Sequence, residues 1–378
     1  MTITTPAQDL EPAHAEIVTA TLPLVGANID AITREFYRRL FDAHPSLLRN
    51  LFNRGNQAQG AQQRALAASI ATFATHLVNP DLPHPAELLS RIGHKHASLG
   101  ITADQYPIVH EHLFAAIVEV LGADTVTAEV AEAWDRVYWI MAETLIDMER
   151  ALYEEAGVTP GDVYRRAPVT HRVDDPSGAV LVTVASDANF SAGQYVSVGV
   201  TLPDGARQLR QYSVVNKPGS GELTFAVKPA GEVSCWIRDN LRVGDLIDVT
   251  VPFGDLPTPA PGAPLVLISA GIGITPMLGI LETLPADAHV QVLHADVSEQ
   301  THPLRERQRE LVDKMPNATL QLWYEDLMSL EDVEFPADAE VYLCGNDGFV
   351  RSVRDQLLQR GVDRVHCELF SPNDWLLS

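Results

Sequence analysis

Three segments in the C-terminal half carry residue types suited to a flat, phosphate-bearing cofactor. Arg210-Gln211-Tyr212-Ser213 puts a guanidinium, an aromatic ring and a hydroxyl on one extended stretch, read as the start of a strand. Tyr212 can stack on a ring system while Arg210 makes paired bonds to a diphosphate. A plain strand with a surface Arg and a half-buried Tyr reads the same four residues. Gly231-Glu232-Val233-Ser234 opens a segment, 235–241, expected to be helical. Backbone N–H groups at a helix start, with a Ser hydroxyl, make an anion site, although Ser is also an ordinary capping residue. Gly271-Ile272-Gly273-Ile274-Thr275-Pro276 lies between an apolar strand and a helix. Its glycines let backbone approach a ligand, and Pro276 suits a first helical turn. It is not a complete G-x-G-x-x-G, so that dinucleotide fingerprint is absent. A second turn, Cys344-Gly345-Asn346-Asp347-Gly348, ends a later strand. Both turns would face the carboxyl edge of one sheet, where open α/β sheets bind ligands, and the pair favours a nucleotide.

The elements that must hold these segments follow from hydrophobic period. From 169 to 255 apolar and polar residues alternate in short runs. Val196, Val198, Val200 and Leu202 share one face before a Pro203-Asp204-Gly205 hairpin turn, and further strands fall at 223–228 and 246–251. This predicts a small antiparallel barrel or sandwich. After the Pro-rich stretch 257–264, strands at 265–269, 290–294, 320–324, 341–344 and 365–370 alternate with helices at 275–284, 304–314 and 349–360. Such alternation predicts a parallel sheet with helices on both faces. The first ~150 residues read as about six or seven helices. Ile29, Ile32, Phe36 and Leu40 form one stripe, Leu66, Ile70, Phe73 and Leu77 another. A long stripe runs from Val130 through Trp134, Val137, Met141, Leu145 and Met148 to Leu152. Breaks are expected at His44-Pro45, at Arg54-Gly55-Asn56 and from Asn79-Pro80 to His84-Pro85.

Among the 378 residues, 50 acidic against 27 basic give a net charge of −23, which argues against nucleic acid and anionic membranes as partners. Cys235, Cys344 and Cys367 are too few and scattered for a disulfide framework or zinc site, as expected in a reducing compartment. The first Lys or Arg is Arg34, so no cationic secretory signal is read, and no apolar run is read as approaching the ~20 residues of a membrane span. A cytoplasmic protein is expected.

The barrel followed by the α/β segment resembles the ferredoxin–NADP reductase family, with its Arg-x-Tyr-Ser flavin strand and Gly-x-Gly-x-Thr-Pro nucleotide turn. With an all-α segment of globin size in front, the chain resembles the flavohaemoglobins, bacterial and fungal nitric oxide dioxygenases, over roughly residues 10 to 375. The resemblance implies a globin domain over 1–153, an FAD-binding barrel over 154–258 and an NAD(P)-binding α/β domain over 259–378. It implies haem b, FAD and NAD(P)H as cofactors, with dioxygen and nitric oxide as substrates of a monomer.

Gly93-His94-Lys95-His96-Ala97-Ser98 offers two histidines about 200° apart on one helix, so only one can face a pocket. The family's Lys-His-x-Ser pattern selects His96 as the iron ligand, with Lys95 beside the haem. Tyr106 and Glu149 match its Tyr and late Glu behind the imidazole. On the gas-binding side, Tyr37 matches the dioxygen-facing Tyr, Gln62 and Leu66 the distal pair, and Phe52 the haem wedge. Carry-over assigns Tyr195, Arg210, Gln211, Tyr212 and Ser213 to the flavin, with Gly231, Val233 and Ser234 near its phosphates. It assigns Gly271, Ile272, Gly273, Ile274, Thr275 and Pro276 to the nicotinamide nucleotide. Glu368, Leu369, Phe370, Ser371 and Pro372 match the family's ending, with Phe370 over the flavin ring.

Ile274, Leu369 and Ser371 depart from the commoner residues, and the hairpin expected in 169–190 is short. Asp296, after the second α/β strand, leans toward NADH because a carboxylate repels a 2′-phosphate. The expected reaction is oxidation of nitric oxide with dioxygen to nitrate, electrons passing from NAD(P)H through FAD to haem. The alternatives are an oxygen-binding or sensing globin with a self-reducing module, and a reductase of external acceptors.

Overall fold

The structure, a computed structural model, describes residues 10–58 and 60–370; the sites expected at Ser371 and Pro372 lie outside them. The chain forms two compact units. The first runs to Val163 and includes Pro203–Leu209; the second comprises Tyr164–Leu202 and the described residues from Arg210.

The first unit contains helices α1 (Pro12–Ala43), α2 (Pro45–Asn50), α3 (Arg54–Ala58), α4 (Ala61–Val78), α5 (Ser90–Leu99), α6 (Tyr106–Leu121) and α7 (Ala128–Glu155). Helix α1 buries Val18, Val25, Ile32, Phe36 and Leu40 on one face. It stops at His44, which stands before Pro45 and leaves the helical region (φ −130°, ψ 66°). By length and composition α1 is long and apolar enough to cross a membrane, against the reading that no such run exists. Its apolar face instead packs on α4, α6 and α7 in the helical core. The break expected at Arg54-Gly55-Asn56 is the short helix α3, because Asn53 Oδ1 accepts from the N–H groups of Gly55 (3.0 Å) and Asn56 (3.2 Å) and caps it. The stripe from Val130 to Leu152 is α7, capped by the Thr127 side chain.

In the second unit, β1 (Tyr164–Asp174), β2 (Val180–Ala185), β3 (Tyr195–Thr201), β4 (Arg207–Ser213), β5 (Glu222–Val227) and β6 (Leu246–Thr250) form a sheet ordered β4-β3-β6-β1-β2-β5. A bridge between Val214 and Phe225 joins its two edges, so the sheet curls into a barrel. Helix α8 (Glu232–Asn240) packs on β3 and β5. The remaining strands are β7 (Leu265–Ala270), β8 (Val290–Asp296), β9 (Ala318–Tyr324), β10 (Glu340–Gly345) and β11 (Val365–Leu369). They run parallel in the order β11-β10-β7-β8-β9. With them alternate α9 (Ile274–Leu281), α10 (Arg305–Asp313) and α11 (Asp347–Gln359). Strand β7 is almost wholly buried, as a strand covered on both faces must be.

Candidate functional site

In the first unit, α5 and α7 close tightly because α5 has glycine at position 93: a Cβ there would collide with the Met148 sulfur of α7. This brings His96 against Glu149. The imidazole Nδ1 lies 2.9 Å from Glu149 Oε1 and 3.2 Å from the Tyr106 hydroxyl, which itself donates to Glu149 Oε1 at 2.5 Å. Glu149 is 2% exposed, yet both donors reach its carboxylate, so burial does not strand a charge. Burial, with the adjoining Glu149 carboxylate, pushes the Tyr106 hydroxyl far up, so it stays a donor. With Nδ1 engaged, Nε2 is the nitrogen left for a metal, and the His96 side chain is open on that side at 33% exposure. Lys95, one residue earlier, is half-buried. Two tyrosines absent from the sequence reading brace this group. Tyr138 donates to the Tyr106 carbonyl (2.7 Å), and Tyr153 to that of Ile101 (2.6 Å), whose N–H caps the His96 carbonyl (3.1 Å).

Tyr37, Phe52, Gln62 and Leu66 come together between α1 and α4. The Tyr37 ring meets Phe52 edge-on with centroids 5.9 Å apart, and Phe41 lies 5.2 Å from Phe52. Burial raises the Tyr37 hydroxyl well above its ordinary value, opposed by bonds from Gln62 and from Gln57 on α3. Gln57 was not singled out from sequence, because its segment reads as a break. The set pairs an imidazole with an open nitrogen and a hydroxyl–amide group set among aromatic rings, the donor chemistry a haem requires.

In the second unit, Arg210-Gln211-Tyr212-Ser213 lies at the end of β4, not its start. Arg210 and Tyr212, two apart, share one face, as stacking and phosphate binding by one ligand demand. Tyr212 stacks on Phe225 at 5.6 Å and 18°, and its buried hydroxyl makes no hydrogen bond among the described residues. Arg210 reaches Glu232 at the start of α8 at 3.5 Å. Gln211 donates to the Ser197 hydroxyl (3.0 Å), and Ser213 is buried. Tyr195 opens β3, paired with Phe253. Gly231 is the N-cap of α8, and Val233 is buried beneath it. The Ser234 hydroxyl accepts from the N–H groups of Ala230 and Gly231 (both 2.9 Å), so it closes the cap rather than standing open to an anion. The helix N-terminus itself keeps its positive end beside Arg210.

Gly271, with φ +53°, turns the chain out of β7, and Ile272 and Gly273 complete the turn into Ile274, Thr275 and Pro276 of α9. Gly273 is required by protein packing: a Cβ would lie 2.5 Å from the Cys344 carbonyl oxygen and 2.9 Å from Gly345 N. The two glycine turns are therefore in direct contact. Thr275 donates to the Ile272 carbonyl (2.9 Å). Glu368 and Leu369 are buried at the end of β11, level with Cys344 and Gly345, while Phe370 is half exposed. The Tyr212 hydroxyl, buried without a hydrogen bond among the described residues, and the paired glycine turns fit a flavin and a nicotinamide nucleotide.

These features define a globin coupled in one chain to a flavin- and nicotinamide-dependent reductase. A globin family model matches residues 34–145, and an oxidoreductase FAD-binding domain model matches 180–257. The chain is 36% identical to the flavohemoprotein of Bordetella parapertussis, covering 96% of this chain and 98% of that protein. It is 35% identical to the flavohemoprotein of Rhizobium meliloti, covering 95% and 97%. A flavohemoglobin of Malassezia yamatoensis, solved with bound FAD and heme, superposes with a TM-score of 0.88 at 32% identity over 96% of this chain and all of that one. The FAD/NAD-binding domain of a Vibrio cholerae nitric oxide dioxygenase matches 55% of this chain and 98% of its own, with 30% identity and TM-score 0.53. The chain belongs to the flavohaemoglobin family. It is an oxidoreductase with haem, FAD and a reduced nicotinamide nucleotide as its cofactors.

Proposed function

We propose that this flavohaemoglobin is an NAD(P)H-dependent nitric oxide dioxygenase, acting as a monomer and converting nitric oxide and dioxygen to nitrate. The observation that carries the reading is the His96–Glu149–Tyr106 group. Haem held through His96 Nε2 would supply the iron at which the two gases react, and FAD would turn a two-electron hydride into single electrons. Glu149 accepts from Nδ1 and makes the imidazole a stronger electron donor, which favours chemistry on dioxygen over its carriage. Tyr106 holds that carboxylate in line. Tyr37, steadied by Gln62, donates toward the gas-binding side, where Phe52 and Leu66 keep the space apolar. Arg210 and the start of α8 hold the flavin diphosphate and Tyr212 its ring. Gly271–Pro276 seats the nucleotide, with Glu368, Leu369 and Phe370 closing over the flavin edge. The Vibrio domain's description supports the same activity.

Aerobic holoprotein given NADH should consume nitric oxide and form two nitrates per nucleotide oxidised. His96→Ala should abolish this while ferricyanide reduction persists. Oxidation of NADH without nitric oxide consumption would refute the proposal.

A further inference from the structure

Residues 203–209 read from sequence as a turn and strand of the barrel, yet they belong to the first unit. There they lie against the segment between α2 and α3 that carries Phe52. Gln208, the second residue of β4, is 1% exposed and runs into this join. Its amide Nε2 reaches three carbonyl oxygens, those of Leu48 (3.2 Å), Arg49 (3.0 Å) and Phe52 (3.2 Å). Its Oε1 accepts from the Arg54 N–H (3.2 Å). Two N–H groups face three carbonyls, so at least one is shared. Around the amide, Asn50 Oδ1 accepts from the Arg207 N–H (3.3 Å), and Arg49 donates to the Asp204 carbonyl (2.9 Å). Arg54 pairs with the half-exposed Asp204 carboxylate at 2.5 Å.

The need for such a side chain follows from the ends of short helices. The last carbonyls and the first N–H groups of a helix lack partners within it, and leaving them buried and unpaired is costly. Helix α2 has six residues, and the Leu48 and Arg49 carbonyls belong to its last turn. Helix α3 has five, and the Arg54 N–H opens it. Helices this short do not hold themselves in place. An amide offers donors and an acceptor together, and Gln208 uses both.

The consequence falls on the Tyr37 group. The Phe52 ring meets Tyr37 and Phe41 edge-on, so a shift of the Phe52 backbone moves the ring against which Tyr37 packs. Helix α3 carries Gln57, which with Gln62 bonds the Tyr37 hydroxyl. Gln208 therefore holds, through backbone groups, both the ring beside Tyr37 and the start of the helix that bonds its hydroxyl.

We propose that Gln208 is a positioning residue for the gas-binding side, setting where Phe52 and the Tyr37 hydroxyl stand. This rests on the reading of Tyr37 and Phe52 as that side.

The test compares the reduced carbon monoxide form of the holoprotein in Gln208→Met, Gln208→Asn and Asp204→Asn, with Tyr37→Phe as reference. Met keeps the length and loses donors and acceptor; Asn keeps the amide on a stem too short for the same partners. Asp204→Asn weakens the outer ion pair and leaves Gln208 bonded. In the infrared, both Gln208 variants should move or split the C–O stretch toward its position in Tyr37→Phe. Dioxygen should leave them about fivefold faster or more, the worth of one ordinary hydrogen bond. Asp204→Asn should keep the wild-type band and rate. Gln208 variants that keep both but melt at a lower temperature overturn the proposal, because the amide then only secures the hairpin. Loss of haem from both variants, or an Asp204→Asn band that moves as far as theirs, overturns it too. A Tyr37→Phe band identical to wild type overturns the reading of the gas-binding side and the role of Gln208 together.

Discussion

At the scale of single residues, His96 is defined by what its two nitrogens face: Nδ1 meets a buried carboxylate and Nε2 an open space. Glu149→Gln keeps the shape but weakens the acceptor, so nitric oxide turnover should fall roughly tenfold with haem retained in the absorption spectrum. Tyr37→Phe removes one hydrogen bond on the gas-binding side; a bond to a group gaining charge is worth about 1.5–3 kcal/mol, so turnover should fall about 10- to 100-fold. Stopped-flow nitric oxide consumption checks both. These residues were legible only through the resemblance, because a Glu within a stripe of Met and Leu reads as a solvated helix position. Gln57 escaped notice because Asn53 turns an expected break into one helical turn.

At the scale of elements, the proximal group depends on how closely α5 approaches α7 and on how α7 grips the loop after α5. Gly93→Ala places a methyl against Met148 and should cost about 1–3 kcal/mol, read as a lower denaturation midpoint of the helical unit. Tyr153→Phe frees the Ile101 carbonyl behind His96. It should shift the iron–histidine stretch of the reduced holoprotein. Thr21→Val, which breaks the remote bond from Trp134 to Thr21 (2.9 Å), should lower stability and leave that band in place. Neither glycine packing nor a tyrosine's partner 52 residues away is written in local pattern. Strand and helix positions were, since period depends on near neighbours alone.

At the scale of the whole molecule, the second unit carries an acid-sensitive core. Burial holds His302 at about 3, against an ordinary 6.5, and pushes His294 down as well. The unfolded chain therefore binds protons that the folded one refuses, so stability is full above about 6.5 and declines as pH falls from there toward 3. Asp296, held at about 2 against an ordinary 3.8, adds a further loss of the same sign below about 4. The melting temperature followed by flavin fluorescence should drop across pH 6.5 to 4.5, and His302→Phe should flatten that slope. By itself the sequence determined the order of helical, barrel and parallel-sheet segments and the glycine turns, because these follow from periodicity and backbone freedom within a few residues. Only the tertiary structure decided that Ser234 closes its own helix cap, that Gly273 serves backbone packing, and that Asp296 Oδ2, near Gly271, is buried without a hydrogen bond among the described residues. Those depend on which distant groups share a buried space, where each donor and acceptor must find a partner or go without.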